Sequence, residues 1–395
     1  MKKIVGSLIA TTAVLSTVMA EETKVNHFAD AFKDLKVKGT IGTYIEATDK
    51  DADDSDFSWQ TVYLKLKAET QRWNNLMFGA EFIGHGQVFS SSDNDKDYYD
   101  KDIETNSALS EVYLDYAFTD SLTLRAGRWN HCDFTHIDDA QAQGIYLMSE
   151  DEQLSWVVGA FNKFAELDYD DMEDWTKDSQ DLSDDDTYGD SDDFALFGEL
   201  TWSPAEVLEV NPYVYHQGDY ASVFGMDNTL TVKLNDDVKA GVKLNGYHVD
   251  SRVNGKEDSF NYVVEPFVKM AGVTAALGYA DFDGDGEGDD HLNKPKWFRD
   301  YLTGFDQDKE YGEQNCSVTY GKLAYKAGNF KTHLYYGFYE YGADKDNEVE
   351  ELEFQVKYKF AGGWDANIRL FDVNYNDAAG SDDYQKVEAR VRFKF

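Results

Sequence analysis

The sequence predicts an all-β fold: a transmembrane, antiparallel, up-and-down β-barrel of about 18 strands. Three observations predict it. Apolar and polar residues alternate with a period of two in segment after segment. The connections between those segments alternate between short turns and long acidic stretches. Aromatic residues gather at the ends of the alternating rows, and the last row finishes on Phe395.

The bulk numbers agree with this. The chain has 395 residues, with 26 Tyr and 25 Phe but only 4 Pro, a balance that suits long strands because proline removes a ladder donor. Mean hydropathy is −0.59, ordinary for a water-soluble chain. A barrel reaches such a value because only alternate residues meet lipid. A helical membrane protein cannot, since each span needs about 20 apolar residues in a row. The formal net charge is −39, which disfavours nucleic acid as a partner because phosphate contacts need a basic surface.

Residues 1–20 read as a secretory signal peptide. Lys2 and Lys3 precede the apolar stretch Ile4–Val18, and small residues at Val18 and Ala20 place cleavage before Glu21. Residues 21–35 form a short periplasmic segment. Phe28, Ala31, Phe32 and Leu35 would share one face of a short helix there. The barrel then occupies 36–395.

Strands are expected to begin near Lys36, Asp56, Asn75, Asn106, Ser121, Gln141, Gln153, Asp192 and Ala205. In the second half they begin near Asp227, Val238, Asp258, Gly272, Gln314, Gly328, Val349, Gly363 and Asp383. Each is roughly 10 residues long, as a tilted membrane strand requires. In the first, Val37, Gly39, Ile41 and Ile45 oppose Lys36, Lys38, Tyr44 and Glu46. Val112, Leu114, Tyr116 and Phe118 oppose Glu111, Tyr113 and Asp115. Near the end, Leu352, Phe354, Val356 and Tyr358 oppose Glu351, Glu353, Gln355 and Lys357, and Val387, Val391, Phe393 and Phe395 oppose Glu388, Arg390, Arg392 and Lys394. Short turns fall near 72–75, 119–121, 203–206, 235–237, 327–329 and 361–363. Trp73, Phe118, Trp202, Tyr358, Phe360 and Trp364 mark an interfacial girdle. Pro212 and Pro266 fall inside strands, where bulges are expected.

Several stretches resemble the Opr/OprD-type porins of Gram-negative bacteria. Phe28–Gly39 resembles their mature N-terminus, Leu122–Arg128 their strand that ends in a Gly-Arg pair, and Ala142–Leu147 the strand after it. The strand count and the terminal Phe, which resembles the outer-membrane insertion signal, match as well. The resemblance implies a passive channel for small hydrophilic solutes and ions, with its third loop, about 130–140, folded into the pore. His131, Asp133, His136, Asp138 and Asp139 would then line the constriction with Arg128, and strand parity by itself turns Arg125 and Arg369 toward the lumen near mid-height.

Charges separate by address. With Glu21 periplasmic, inward-facing bases collect near the periplasmic end: Lys36, Lys38, Lys65, Lys67, Lys239, Lys243, Lys357, Lys359, Arg390, Arg392 and Lys394. Acids fill the outer loops, near 49–56, 93–104, 166–193, 281–290 and 344–350. Either the pore carries an axial field, with a cation-attracting mouth above a basic vestibule, or the bases only solvate the inner rim while the acids hold divalent ions among lipopolysaccharide. Asp283, Asp285, Glu287 and Asp289 resemble the first half of a calcium loop, but Lys294 stands where the closing Glu belongs and no helices flank the segment. Weak calcium binding and a plain acidic hairpin loop both fit. A metal at His131, Asp133 and His136 is a weaker reading than pore lining, because this spacing is unspecific. Cys132 and Cys316 allow at most one disulfide.

No phosphate loop, dinucleotide fingerprint, nucleophile elbow or HExxH motif is present, so nothing in the sequence argues for an enzyme. The readings set beside the channel are an outer-membrane barrel enzyme and a calcium-dependent surface or adhesive protein. Association of barrels as a homotrimer is open.

Overall fold

The computed structural model describes residues 25, 27–50, 57–92, 107–130, 140–166, 180–181, 194–218, 221–252, 258–283, 315–342, 345, 347–376 and 383–395. Among these, 18 strands close into one antiparallel barrel, and a two-residue stub, Gln180–Asp181, pairs alongside. The strands are β1 (Lys36–Lys50), β2 (Phe57–Glu69), β3 (Leu76–Ser92), β4 (Ser107–Ala117), β5 (Leu122–Asn130) and β6 (Ala140–Glu150). They continue as β7 (Leu154–Glu166), β8 (Ala195–Ala205), β9 (Leu208–Gln217), β10 (Ala221–Lys233), β11 (Val238–Ser251) and β12 (Ser259–Met270). The last six are β13 (Val273–Phe282), β14 (Cys316–Ala327), β15 (Phe330–Tyr341), β16 (Asn347–Lys359), β17 (Trp364–Asn376) and β18 (Tyr384–Lys394).

Each strand pairs with its sequence neighbours, and β1 pairs with β18 from Thr40↔Lys394 to Lys50↔Tyr384. The backbone extends the seam by one step, because Gly39 and Phe395 exchange N–H···O bonds of 2.7 and 2.9 Å. Closure therefore leaves no sheet edge, which hydrocarbon demands. No described helix is long and apolar enough to cross a membrane.

Every connection from an even strand to the next odd one is six residues or fewer, so these turns share one end of the barrel; at the other end lengths vary, from three residues between β9 and β10 to more than thirty between β13 and β14. Three of them are two residues long, and in one, Ala271-Gly272, both residues have positive φ (48° and 82°), as a type I′ hairpin turn requires. Along the outward rows Leu277, Phe260, Phe224, Leu114 and Leu323 are exposed, apolar side chains with no protein cover. Phe118, Trp202, Tyr358, Phe360 and Trp364 are likewise exposed at the short-turn end, where the sequence placed the girdle.

Four local expectations need correction. The N-terminal helix is a single 3-10 turn, Phe28–Phe32. Ala31 is buried, while Phe28 packs edge-on against Phe32 and Trp73. Its Asp30 is held below the usual carboxylate range by a hydrogen bond from Lys33. Neither internal proline sits in a bulge. Pro266 keeps register with Val242, and the ladder to β13 resumes in unchanged register after skipping Glu265 and Pro266. Pro212 pairs with Met226, and the shift between β8 and β9 lies at Leu208/Val210 instead. Losing one donor removes one bond without forcing an extra residue. Finally, β10 starts at Ala221, six residues before Asp227, because Ala221 to Met226 ladder to both neighbours.

Candidate pore

Direct cross-strand partners share a face, so the register assigns every inward side chain. At the short-turn end that face is basic. Thr40 lies between Lys394 and Lys65, Lys38 lies opposite Lys67, and Tyr44 and Asn367 both lie opposite Arg390. Lys36, Lys359, Lys357 and Arg392 continue the same inward rows across the seam. The eleven bases that sequence parity placed inside thus come together as a band, with Lys239 and Lys243 farther round on β11.

Several of these bases are tied to carboxylates. Arg392 sets its Nε against both oxygens of Asp365, at 2.6 and 2.8 Å. Lys67 Nζ donates to Glu111 at 2.7 Å. Higher up, Arg125 grips Asp115 through Nε and one terminal nitrogen at 2.7 and 2.8 Å, and its guanidinium stacks 3.7 Å from the centre of the Tyr113 ring. The Tyr113 hydroxyl donates to Glu69 at 2.7 Å. Across the barrel Arg369 donates to Glu353 at 3.1 Å and to Glu388 at 3.3 Å, and Lys386 reaches Glu388 at 3.0 Å. A polar niche of about 160 Å³ opens here, lined by Tyr44, Gln355, Lys357, Asn367, Arg369, Glu388 and Arg390. Arg125 and Arg369 therefore do face inward near mid-height, but as paired groups that fix the wall.

Arg128 departs from the expectation. It pairs with Val112 and Gln143, on the outward row with exposed Ile145, whereas Arg125 pairs with Asp115 and Tyr146 inside. A step of three along a strand changes face, so the Gly-Arg resemblance and the alternation disagree, and the alternation prevails.

His131, Asp133, His136, Asp138 and Asp139 lie outside the described residues, as do Cys132, Asp285, Glu287 and Asp289. Asp283 is described, and its backbone N–H donates to Asn261 Oδ1 at 2.8 Å. Cys316 is buried on the inward row of β14. No group of His, Cys, Asp and Glu fit to hold a metal occurs among the described residues.

Sequence reasoning missed two features. The first is the set of carboxylates and tyrosines that hold the bases. Their signal was visible in the alternating rows, but the partner depends on which strand lies beside which. The second is an apolar inner band toward the long-connection end. Phe161, Phe197, Val223, Val249, Val263, Phe282, Val318 and Val373 face inward there and are buried. Small residues let aromatic rings lie flat on the inner wall below it. Tyr113 covers Gly79, and Tyr320 covers Gly278, so closely that any Cβ would meet the ring.

A closed, antiparallel, up-and-down barrel of 18 strands with apolar outer rows defines the architectural class, that of the large β-barrels. Comparison with known proteins gives the same architecture. The chain is similar to the crystal structure of Acinetobacter baumannii OccAB4, with a TM-score of 0.70 and 15% identity over 92% of this chain and 98% of that one. It is similar to Pseudomonas aeruginosa OpdQ, with a TM-score of 0.69 and 15% identity over 92% and 99%. It is also similar to Pseudomonas aeruginosa OprD, with a TM-score of 0.65 and 15% identity over 92% and 95%. No protein-family model and no curated protein sequence matches it.

Proposed function

We propose that this chain is an outer-membrane porin of the OprD/Occ kind, through which small hydrophilic solutes and ions diffuse passively. The observation that carries the reading is the sorting of side chains by face on a sheet without an edge. Outward rows are mostly apolar and uncovered, and inward rows hold bases, carboxylates and tyrosines below the apolar inner band. Such a surface suits hydrocarbon outside and water inside. The shared fold of OccAB4, OpdQ and OprD supports it.

In this reading the short turns are periplasmic and the long acidic connections face outward from the cell. The segment 130–140 after β5 narrows the lumen, and the band from Lys36 to Lys394 forms the inner vestibule. The acids of the outer connections raise the local cation concentration at the mouth, and the basic band below imposes the opposite preference. Arg125 and Arg369 hold the wall through their ion pairs, and the bases of the band, some of them tied to carboxylates, set the field.

Reconstitution tests the reading. Liposomes carrying the purified chain should swell in isotonic pentose and amino-acid solutions, with rates that fall as solute size rises. Planar bilayers should show discrete conductance steps. A folded chain that gives neither would overturn the proposal.

A further inference from the structure

We propose that the inward face of β11–β15 at the short-turn end is a binding site for a soluble multivalent phosphoryl anion. The inference rests on the channel reading only in that the lumen must admit water. It concerns a wall well away from the seam, on strands that carry none of the band's arginines.

Lys239, Lys243, Lys269, Lys322, Lys326 and Lys331 share this face. The lower half of these strands, all of it described, offers one inward carboxylate, Glu265. Both its oxygens are engaged: Oε1 lies 3.3 Å from Lys243 Nζ, and Oε2 accepts from the Tyr320 hydroxyl at 3.0 Å. The excess positive charge is built into the register. Lys239 lies directly opposite Lys269, and Lys331 lies directly opposite Lys326 and Lys357, while Lys233 on the other side of Lys239 is answered by Asp236 at 2.9 Å. Like charges in direct cross-strand pairs destabilise a sheet. Three such pairs at one end are therefore a cost that a bound polyanion would reverse.

The lysines surround a space. A niche of about 240 Å³ is lined by Lys243, Lys269, Lys322, Lys326, Lys331 and His333, with Thr274 supplying a hydroxyl. That is about eight waters' share of liquid volume, room for more than one anionic group. Lysine also indicates the ligand class. An ammonium is a compact point charge with rotatable donors that binds phosphoryl oxygens without a fixed bite, and several converging ammoniums suit an anion that carries several charges in a small volume. The inward arginines named above, Arg125, Arg369, Arg390 and Arg392, stand on β5, β17 and β18. The β11–β15 arc holds lysine alone.

The test uses inorganic tripolyphosphate and the full chain in detergent micelles at low salt. Calorimetry should show saturable binding that weakens steeply as salt rises. Lys269→Gln/Lys326→Gln/Lys331→Gln should weaken it at least tenfold while retaining wild-type gel migration before and after heating. Lys65→Gln/Arg390→Gln, at the seam, should leave it within about twofold. Inorganic phosphate and citrate should bind more weakly than tripolyphosphate. Adding phosphatidylglycerol to the micelles should not compete, since the site faces the lumen. In bilayers, tripolyphosphate added on the short-turn side should lower conductance at concentrations that fail from the other side. No binding by the wild type, or binding unchanged in the triple variant, overturns the site. Binding without any conductance step would instead sink the channel reading and leave the site standing.

Discussion

Replacing Asp115 with Asn isolates the ion pair that fixes the middle of the wall. Asp115 and Arg125 keep only 3% and 14% of their side-chain surface exposed, and the bond is two-pronged. Removing one partner of a buried pair costs about 3–5 kcal/mol, because the other charge stays behind without compensation. Asn leaves one acceptor in place, and the Tyr113 face stays 3.7 Å from the guanidinium, a contact worth ~0.5–2 kcal/mol. The expected loss is therefore about 3 kcal/mol, at the lower end of that range. Urea unfolding of the chain in lipid vesicles, followed by tryptophan emission, measures it. Arg125→Gln should also destabilise, and the double variant should lose less than the sum by about 2 kcal/mol. A coupling below about 0.5 kcal/mol would mean that the pair behaves as a water-exposed one, and the reasoning about the wall would fail.

Three further outcomes follow from the geometry. Gly79→Ala should destabilise by about 1–3 kcal/mol, because its Cβ meets the Tyr113 ring, and Tyr113→Ala should relieve that clash in the same unfolding assay. Neutralising Lys357, Lys359, Arg390 and Arg392 to Gln should move the reversal potential in a salt gradient toward cation selectivity, and an unmoved potential would return these bases to a purely solvating role. In a Cys132→Ser background, a charged thiol reagent should label Val318→Cys far more slowly than Lys322→Cys, since Val318 is buried and the neighbouring lysine lies in the wet niche.

Most of the barrel was legible because period-two alternation repeats along the chain, and every second connection is a short turn. All but one of the expected strand starts fall within three residues of the observed ones. The exception is β10, which starts at Ala221 and not at Asp227. Asp227 sits in mid-strand, hydrogen-bonded by Asn245, so an acid does not mark a strand end here. Pro212 and Pro266 misled in the opposite way, because a missing donor need not change register. The bases were readable from parity alone. Their partners were not. Asp115 stands ten residues before Arg125, and Glu388 nineteen after Arg369, distances that only the strand neighbourhood makes meaningful. The buried inner valines were hidden for another reason. Where both faces are apolar, alternation vanishes, as at Val263-Val264.

The seam between β1 and β18 has a consequence for how the molecule is made. The two ends of the sheet meet across more than three hundred residues, as Thr40 beside Lys394 shows. Every strand between them must already be in place before the last handshake forms. Contacts of such span are slow to find, and the half-built sheet has two sticky flanks in the meantime. An assembly factor that shelters those flanks, and lets go only when the ring shuts, would meet the need that this topology creates.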